Sequence, residues 1–247
     1  MELELLAARK EIQGARKIVF LGGAGVSTGS GIPDFRSPKG LYNVESKYGV
    51  PYERVLSHSY FLEHMDNFYD FYWGSMVHFE AKPNGAHLAL SNFEERKKNI
   101  TILTQNIDGL HQAAGSRRVV ELHGSVKRYF CPCCHTFYTL EEIPHQGIPL
   151  CKKCGGYLKP DVVLYEEALS ERALDEAVSA IVEADLLIVC GTSMNVFPVA
   201  GLVSYFHGRT RIIINKEKTR YDSFCDFIFH DDCSLVLEEL LKNETSN

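Results

Sequence analysis

Four thiols stand in two pairs, Cys131-x-x-Cys134 and Cys151-x-x-Cys154, with sixteen residues between them. That spacing suits a tetrahedral zinc site, and a shell of four thiolates leaves the ion no open position for catalysis. Gly155-Gly156 provides the tight turn the second knuckle needs, and Cys133 reads as a bystander because the two-residue spacing selects its neighbours. Cys190, Cys225 and Cys233 have no partner in sequence and read as small buried hydrophobes. Proton chemistry then falls to His123, in Glu121-Leu122-His123-Gly124-Ser125, whose ring titrates near neutrality. A lone histidine is more often a packed or solvated residue, so its role depends on what faces it.

A second chemical element is the loop Gly22-Gly23-Ala24-Gly25-Val26-Ser27-Thr28. Glycines between a strand and a helix let backbone N–H groups approach a pyrophosphate, although a plain tight turn uses the same residues. A hydride-transfer enzyme would carry a ribose-binding acid about 20 residues further on, at the end of a second strand. Leu41-Tyr42-Asn43-Val44-Glu45 offers no such strand. The loop continues instead into Gly31-Ile32-Pro33-Asp34-Phe35-Arg36-Ser37, where Arg36 can pair with a phosphate. Further along, Gln105, Asn106 and Asp108 are placed to read a carboxamide or orient a sugar, while helix capping by Asn106 or Asp108 fits the position as well. Thr192 and Ser193 after Gly191, and Asn215 after Ile214, suit an adenosine ribose and base; taken singly, each is a common turn residue. His111, one step into the next helix, reads as structural.

Elements that could hold these residues are legible as short apolar runs. Lys17 to Leu21, Ile100 to Thr104, Leu186 to Cys190 and Arg211 to Ile214 read as buried parallel strands, with Val119-Val120 a shorter one. Ser170 can cap a helix reaching Asp185, with Leu174, Ala177, Val178, Ile181 and Val182 on one face. Met1 to Lys17 has helical spacing through Leu5, Ala8, Ile12 and Ala15, and Ser234 to Lys242 closes the chain with Leu237, Leu240 and Leu241 inward. Alternating strands and helices imply an α/β fold with a Rossmann-like, doubly wound parallel sheet. Two stretches break the rhythm. The aromatic-rich residues 33–96 read as a helical insertion, and 127–160, with five of the eight cysteines, as a small zinc-ribbon module. Residues 1–32, 97–126 and 161–247 then make up the sheet domain.

At 247 residues, 45% apolar and 23% charged, the chain fits one such domain with satellites and needs no disulfides. A net charge of −6 argues against a protein that binds nucleic acid by bulk phosphate neutralisation. Lys127, Arg128, Lys152 and Lys153 read as a solvated face. No apolar run approaches membrane-spanning length and the N-terminus lacks a secretory pattern, so a reducing, cytoplasmic setting is expected, without membrane or direct nucleic-acid partners.

Together these features resemble the sirtuin family of NAD-dependent protein deacylases, over nearly the whole chain from Ile18 onward. The resemblance rests on Gly23-Ala24-Gly25-Val26-Ser27, Gly31-Ile32-Pro33-Asp34-Phe35-Arg36, Thr104-Gln105-Asn106-Ile107-Asp108, Leu122-His123-Gly124, Lys159-Pro160-Asp161-Val162-Val163 and Gly191-Thr192-Ser193. Pro83-Asn84 with Ala86-His87 and the paired knuckles fit too. It implies NAD as co-substrate, one structural zinc and acetyl-lysine proteins or peptides as substrates. The acyl oxygen would attack the ribose carbon bearing nicotinamide, and His123 would deprotonate a ribose hydroxyl, giving free lysine, nicotinamide and O-acyl-ADP-ribose. Catalysis would rest on His123 and Asn106. NAD would be held by Ala24, Thr28, Phe35, Arg36, Gln105, Ile107 and Asp108 at its phosphate, ribose and nicotinamide parts. Thr192, Ser193, Asn215 and Asp232 would hold the adenosine half, and Val162 and Val163 would line a groove that accepts an extended peptide. A chain this compact resembles the bacterial or archaeal members.

Two departures bear on substrate choice. The groove segment usually reads Phe-Gly-Glu where this chain has Tyr165-Glu166-Glu167, which adds negative charge and predicts a preference for basic flanking residues. Succinyl-selective members carry a Tyr and, three residues later, an Arg; here Tyr69 is followed by Tyr72, and Tyr72 by Ser75, which favours neutral acyl groups. Three rivals are weaker. An oxidoreductase would leave His123, the amide cluster and the knuckles unused together, and the acidic total speaks against a zinc-ribbon nucleic-acid adaptor. A mono-ADP-ribosyltransferase could share the ribosyl chemistry with another nucleophile.

Overall fold

Apolar runs that bury both of their faces sit between two helical layers, and such runs form the inner strands of the main sheet, which has six strands in all. In the computed structural model, which describes residues 2–35, 40, 47–96 and 99–242, these are β1 (Lys17–Gly22), β2 (Asn99–Thr104), β3 (Val119–Glu121), β7 (Leu186–Cys190), β8 (Thr210–Ile214) and β9 (Phe227–Phe229). They lie in the order β3-β2-β1-β7-β8-β9 with every pair parallel. The order reverses between β1 and β7, and the carboxyl ends beside that reversal form the crevice where open α/β sheets bind ligands.

Alternation along the strands splits the core in two. Phe20, Ile102 and Ile188 stand in register and point to one face, covered by α1 (Glu2–Gly14), α5 (Gly85–Glu95) and α9 (Cys233–Leu241). Leu21, Leu103 and Val189 point to the other, covered by α7 (Glu171–Glu183) and the segment around α8 (Val199–Leu202). Ser170 caps α7 as its position predicts, accepting a hydrogen bond from Ala173 N at 3.4 Å. Ala177 and Ile181 are buried, but Val182, expected on the same face, is 51% exposed.

The second lobe has its own core. Short helices α2 (Tyr52–Val55), α3 (His58–Glu63) and α4 (Met65–Phe71), with a π-helical turn at Tyr72–Met76, pack directly on a three-stranded sheet of β4 (Gly124–Phe130), β5 (Phe137–Thr139) and β6 (Lys159–Val162), in the order β5-β4-β6. Phe61, Phe68, Tyr69 and Tyr72 share one buried cluster with Tyr129, Cys131 and Leu158. Helical stretch and cysteine module are therefore one packed body. Helix α5, inside the span 33–96, packs instead with the sheet core through Ala86, Leu90 and Phe93. Strand β4 runs across the boundary drawn at 126, and β6 across that at 160. Among the described residues, no helix is long and apolar enough to cross a membrane. The remaining short helix, α6 (Leu110–Ala113), follows β2.

Candidate active site

The glycine loop, the amide cluster, His123, Thr192 with Ser193, and Asn215 each follow the carboxyl end of a main-sheet strand; the cysteine knuckles do not. The loop after β1 does not run into a regular α-helix but folds as two 3-10 turns, Ala24–Val26 and Thr28–Ser30. It is fastened to the turn after β7 by Gly25 N, which donates to the Gly191 carbonyl at 2.8 Å. The two chains pass too closely for side chains: a Cβ on Gly191, at φ +62°, would lie 2.5 Å from Val26 N. Asn84, the N-cap of α5, braces the loop from the other side by donating to Val26 O at 2.8 Å and Ser30 Oγ at 3.0 Å.

Behind the loop, Ser27 organises the cluster after β2. Its hydroxyl donates to Asp108 Oδ2 at 2.7 Å and accepts from Asn106 Nδ2 at 3.0 Å. Asp108 Oδ1 accepts from Leu110 N, the first residue of α6, at 2.8 Å; the N-cap itself is Gly109, so the carboxylate satisfies a helix-start N–H while keeping its place in the polar cluster. Gln105 donates through Nε2 to Thr192 Oγ1 at 3.1 Å, tying the ends of β2 and β7 together. Ser27, Asn106 and Asp108 all border a cavity of about 600 Å³ that extends to Ser193 and Asn215.

His123 stands in the wall of the same cavity, between β3 and β4. Its Nδ1 lies 2.9 Å from the Gln105 carbonyl. A carbonyl only accepts, so Nδ1 carries the proton and donates, leaving the lone pair on Nε2. Burial pulls the imidazole pKa below the usual 6.5, outweighing the Gln105 carbonyl, which pushes it upward. A neutral ring with its lone pair on the nitrogen that the carbonyl does not occupy is what a general base requires. Gly124 makes the placement possible: at φ +76°, a Cβ there would come within 1.9 Å of the Asp161 carbonyl.

Of the remaining predicted residues, Ala24, Thr28, Phe35 and Ile107 border the cavity, and the Thr28 hydroxyl donates to Gly25 O at 3.0 Å. Arg36 lies outside the described residues. Asp232 stands off the cavity wall; it caps α9 through Ser234 N at 2.9 Å and pairs with Lys216 at 2.9 Å. Lys216 itself borders the cavity beside Asn215. His111 is buried against Phe20 and His87, its pKa pulled down to about 3 by burial and by the neighbouring His87. Tyr69 and Tyr72 turn into the second core, Tyr69 donating to the Leu158 carbonyl and Tyr72 sharing a 3.1 Å hydrogen bond with Tyr129. Sequence reading missed Ser27 and Asn84 as organisers. Their signals were a hydroxyl amid glycines and an amide just ahead of a helical run.

In the second lobe the sulfur atoms of Cys131, Cys134, Cys151 and Cys154 lie within 4.8 Å of one another, with closest contacts of 3.5 Å for Cys131–Cys154 and Cys134–Cys151. Zinc–sulfur bonds of about 2.3 Å in a tetrahedron place sulfurs about 3.8 Å apart, so the four thiols fit one zinc ion. Tyr138 OH, 3.2 Å from Cys151 Sγ, is placed to donate to a thiolate. Cys133 is exposed and outside the cluster. Cys190 and Cys233 are buried as expected, whereas Cys225 is only partly so.

Comparison with known proteins agrees with this arrangement. The Sir2 family model matches residues 23–198. A relative from Clostridium acetobutylicum named NAD-dependent protein deacetylase is 49% identical over 235 residues, covering 94% of this chain and 96% of its own length. One of the same name from Cutibacterium acnes is 51% identical, covering 92% of this chain and 93% of its own. Among solved structures, a Sir2 complex with p53 peptide and NAD+ superposes with a TM-score of 0.82 at 35% identity, covering 97% of each chain. Sir2 bound to acetylated peptide gives a TM-score of 0.81 at 33% identity, again covering 97% of each. With a family model spanning most of the chain and near-half identity to bacterial relatives almost end to end, the protein belongs to the Sir2 family.

Proposed function

We infer that this chain is an NAD-dependent protein-lysine deacetylase, yielding free lysine, nicotinamide and O-acetyl-ADP-ribose. The observation that carries the reading is the fixed tautomer of His123, a neutral imidazole in the wall of a cavity shared with the glycine loop. In this reading Nε2 takes the proton of a ribose hydroxyl. The Ser27–Asn106–Asp108 cluster holds the nicotinamide end, where Asn106 assists catalysis. Backbone of residues 24–28 faces the phosphates, Phe35 shields the ribose carbon from water, and Gln105 and Ile107 complete that wall. Thr192, Ser193 and Asn215 take the adenosine half; Asp232 would act there through Lys216. A zinc ion held by the four cysteines would supply structure to the second lobe and no catalytic step. We draw the domains along the chain as a sheet body (1–32, 97–126, 161–247) interrupted by an insertion (33–96) and a cysteine module (127–160), the short helices of the insertion and the module sharing one core. Eight free cysteines suit a reducing cytoplasm.

Incubation with NAD and an acetyl-lysine peptide should release deacetylated peptide and nicotinamide together, without growth of NADH absorbance. His123→Ala should lower kcat by about a hundredfold or more, the range expected for losing a general base. Turnover that survives this substitution would sink the mechanism.

A further inference from the structure

The segment Val162 to Glu167 lies between the two lobes and is held from both sides. On one side Val163 N donates to the His123 carbonyl at 3.0 Å. On the other, Tyr165 exchanges backbone hydrogen bonds with the α2–α3 turn, its N–H donating to Leu56 O and its carbonyl accepting from His58 N, both at 3.0 Å. Glu167 is anchored below by Lys159 at 3.0 Å, His58 at 2.7 Å and Leu164 N at 2.9 Å.

Glu166 is the odd residue. It sits at φ +74°, a conformation costly for a side chain with a Cβ and natural for glycine. Its carboxylate is exposed and borders the cavity, yet it is engaged within the chain. Oε2 accepts from Ser59 N at 2.9 Å, Oε1 accepts from Ser59 Oγ at 3.1 Å, and Arg54 stands 3.5 Å away. The Ser59 backbone N–H, with its hydroxyl, holds the carboxyl below the usual glutamate range. The charge is thus already engaged within the chain, and a basic flanking residue would compete for it with Ser59 and Arg54.

We propose that Glu166 is a clasp: by binding Ser59 and Arg54 it fixes the peptide-facing segment against helix α3 and so presets the groove for an extended acyl-lysine substrate. It is a positioning residue, acting through the backbone of Val162 to Tyr165 rather than by touching the reacting atoms. A preset groove lowers the ordering cost of binding, so the clasp belongs in peptide affinity and not in the chemical step. The proposal rests on the deacetylase reading above.

Steady-state kinetics with an extended acetyl-lysine peptide separate the possibilities. Glu166→Gly keeps the backbone conformation and deletes the clasp; it should raise the peptide KM about fivefold while the NAD KM moves less than about twofold. Glu166→Gln keeps one acceptor for Ser59 but loses the charge facing Arg54, and should give a peptide KM between those of the unaltered chain and Glu166→Gly, with the NAD KM again within about twofold. An unchanged peptide KM in Glu166→Gly would overturn the clasp, as would equal rises in both KM values. If the unaltered chain itself shows no NAD-dependent turnover, the deacetylase reading falls first and the clasp with it.

Discussion

The imidazole of His123 has one nitrogen committed to the Gln105 carbonyl and sits where burial disfavours its charged form, and both facts bear on how the rate should depend on pH. A base works only when unprotonated. Because the folded-state pKa lies below 6.5, the ring is already neutral at pH 7, and acidification removes the active form only below that value. kcat/KM for the acetyl-lysine peptide should therefore be flat above neutrality and fall through a single acid limb centred below pH 6.5. A limb centred above pH 7 would mean that another group is being titrated. At this scale the sequence was informative where a residue type carries its chemistry wherever it stands, as for His123 and the thiols. It was silent on Ser27, whose importance lies in touching Asn106 and Asp108 across a gap of about eighty residues. Glu166 shows the opposite limit: its charge was legible, but the Ser59 and Arg54 that absorb it were not.

Elements explain why those side chains converge. Five strand ends of one parallel sheet deliver the glycine loop, the amide cluster, His123, Thr192 with Ser193, and Asn215 to one crevice. The inner strands behind them were readable because residues buried on both faces leave continuous apolar runs, and β3, only partly buried, showed as the short pair Val119-Val120. The helices of residues 52–76 were readable only as aromatic content. They are short, and their partners Tyr129, Cys131 and Leu158 lie beyond the reach of local periodicity. Helix α5 lies within the stretch read as a helical insertion, and local periodicity does not separate it from the helices before it, although it alone of them packs in the sheet core. The joint between β4 and β6 is the most exacting contact at this scale, since Gly124 meets the Asp161 carbonyl where no Cβ fits. Gly124→Ala should force β4 away from β6 and displace His123 with it. A loss of about 2 kcal/mol or more, the sum expected for a strained backbone and a displaced strand, should appear in denaturant unfolding, with a fall in kcat beyond any change in KM. Unaltered stability and kcat would show that the two strands can yield without moving the ring.

At the scale of the molecule, a sheet body and a second lobe meet across the cavity, and the second lobe depends on side chains from two separate stretches of chain. Cys131 and Cys151 belong to the same core as Phe61, Phe68, Tyr69 and Tyr72, so a metal that fixes the knuckles also fixes the helices that flank the groove. Trp73, the single tryptophan, reports on that junction: it stacks on Tyr129 with ring centroids 6.0 Å apart and donates through Nε1 to Gly147 O at 2.9 Å. Structural zinc contributes on the order of 10 kcal/mol to small domains at neutral pH, more than a lobe of this size could replace by packing. Metal analysis should find one zinc per chain. Chelation should then shift Trp73 fluorescence to the red as its contacts with Tyr129 open, and abolish peptide turnover. The far-UV signal of the parallel sheet and its helices should largely remain, because their two cores draw on none of the four cysteines. Added zinc should restore both fluorescence and turnover. Chelated protein that keeps its Trp73 emission and its activity would show that the lobe holds together without the metal, and that the cysteine cluster serves some purpose other than bracing the groove.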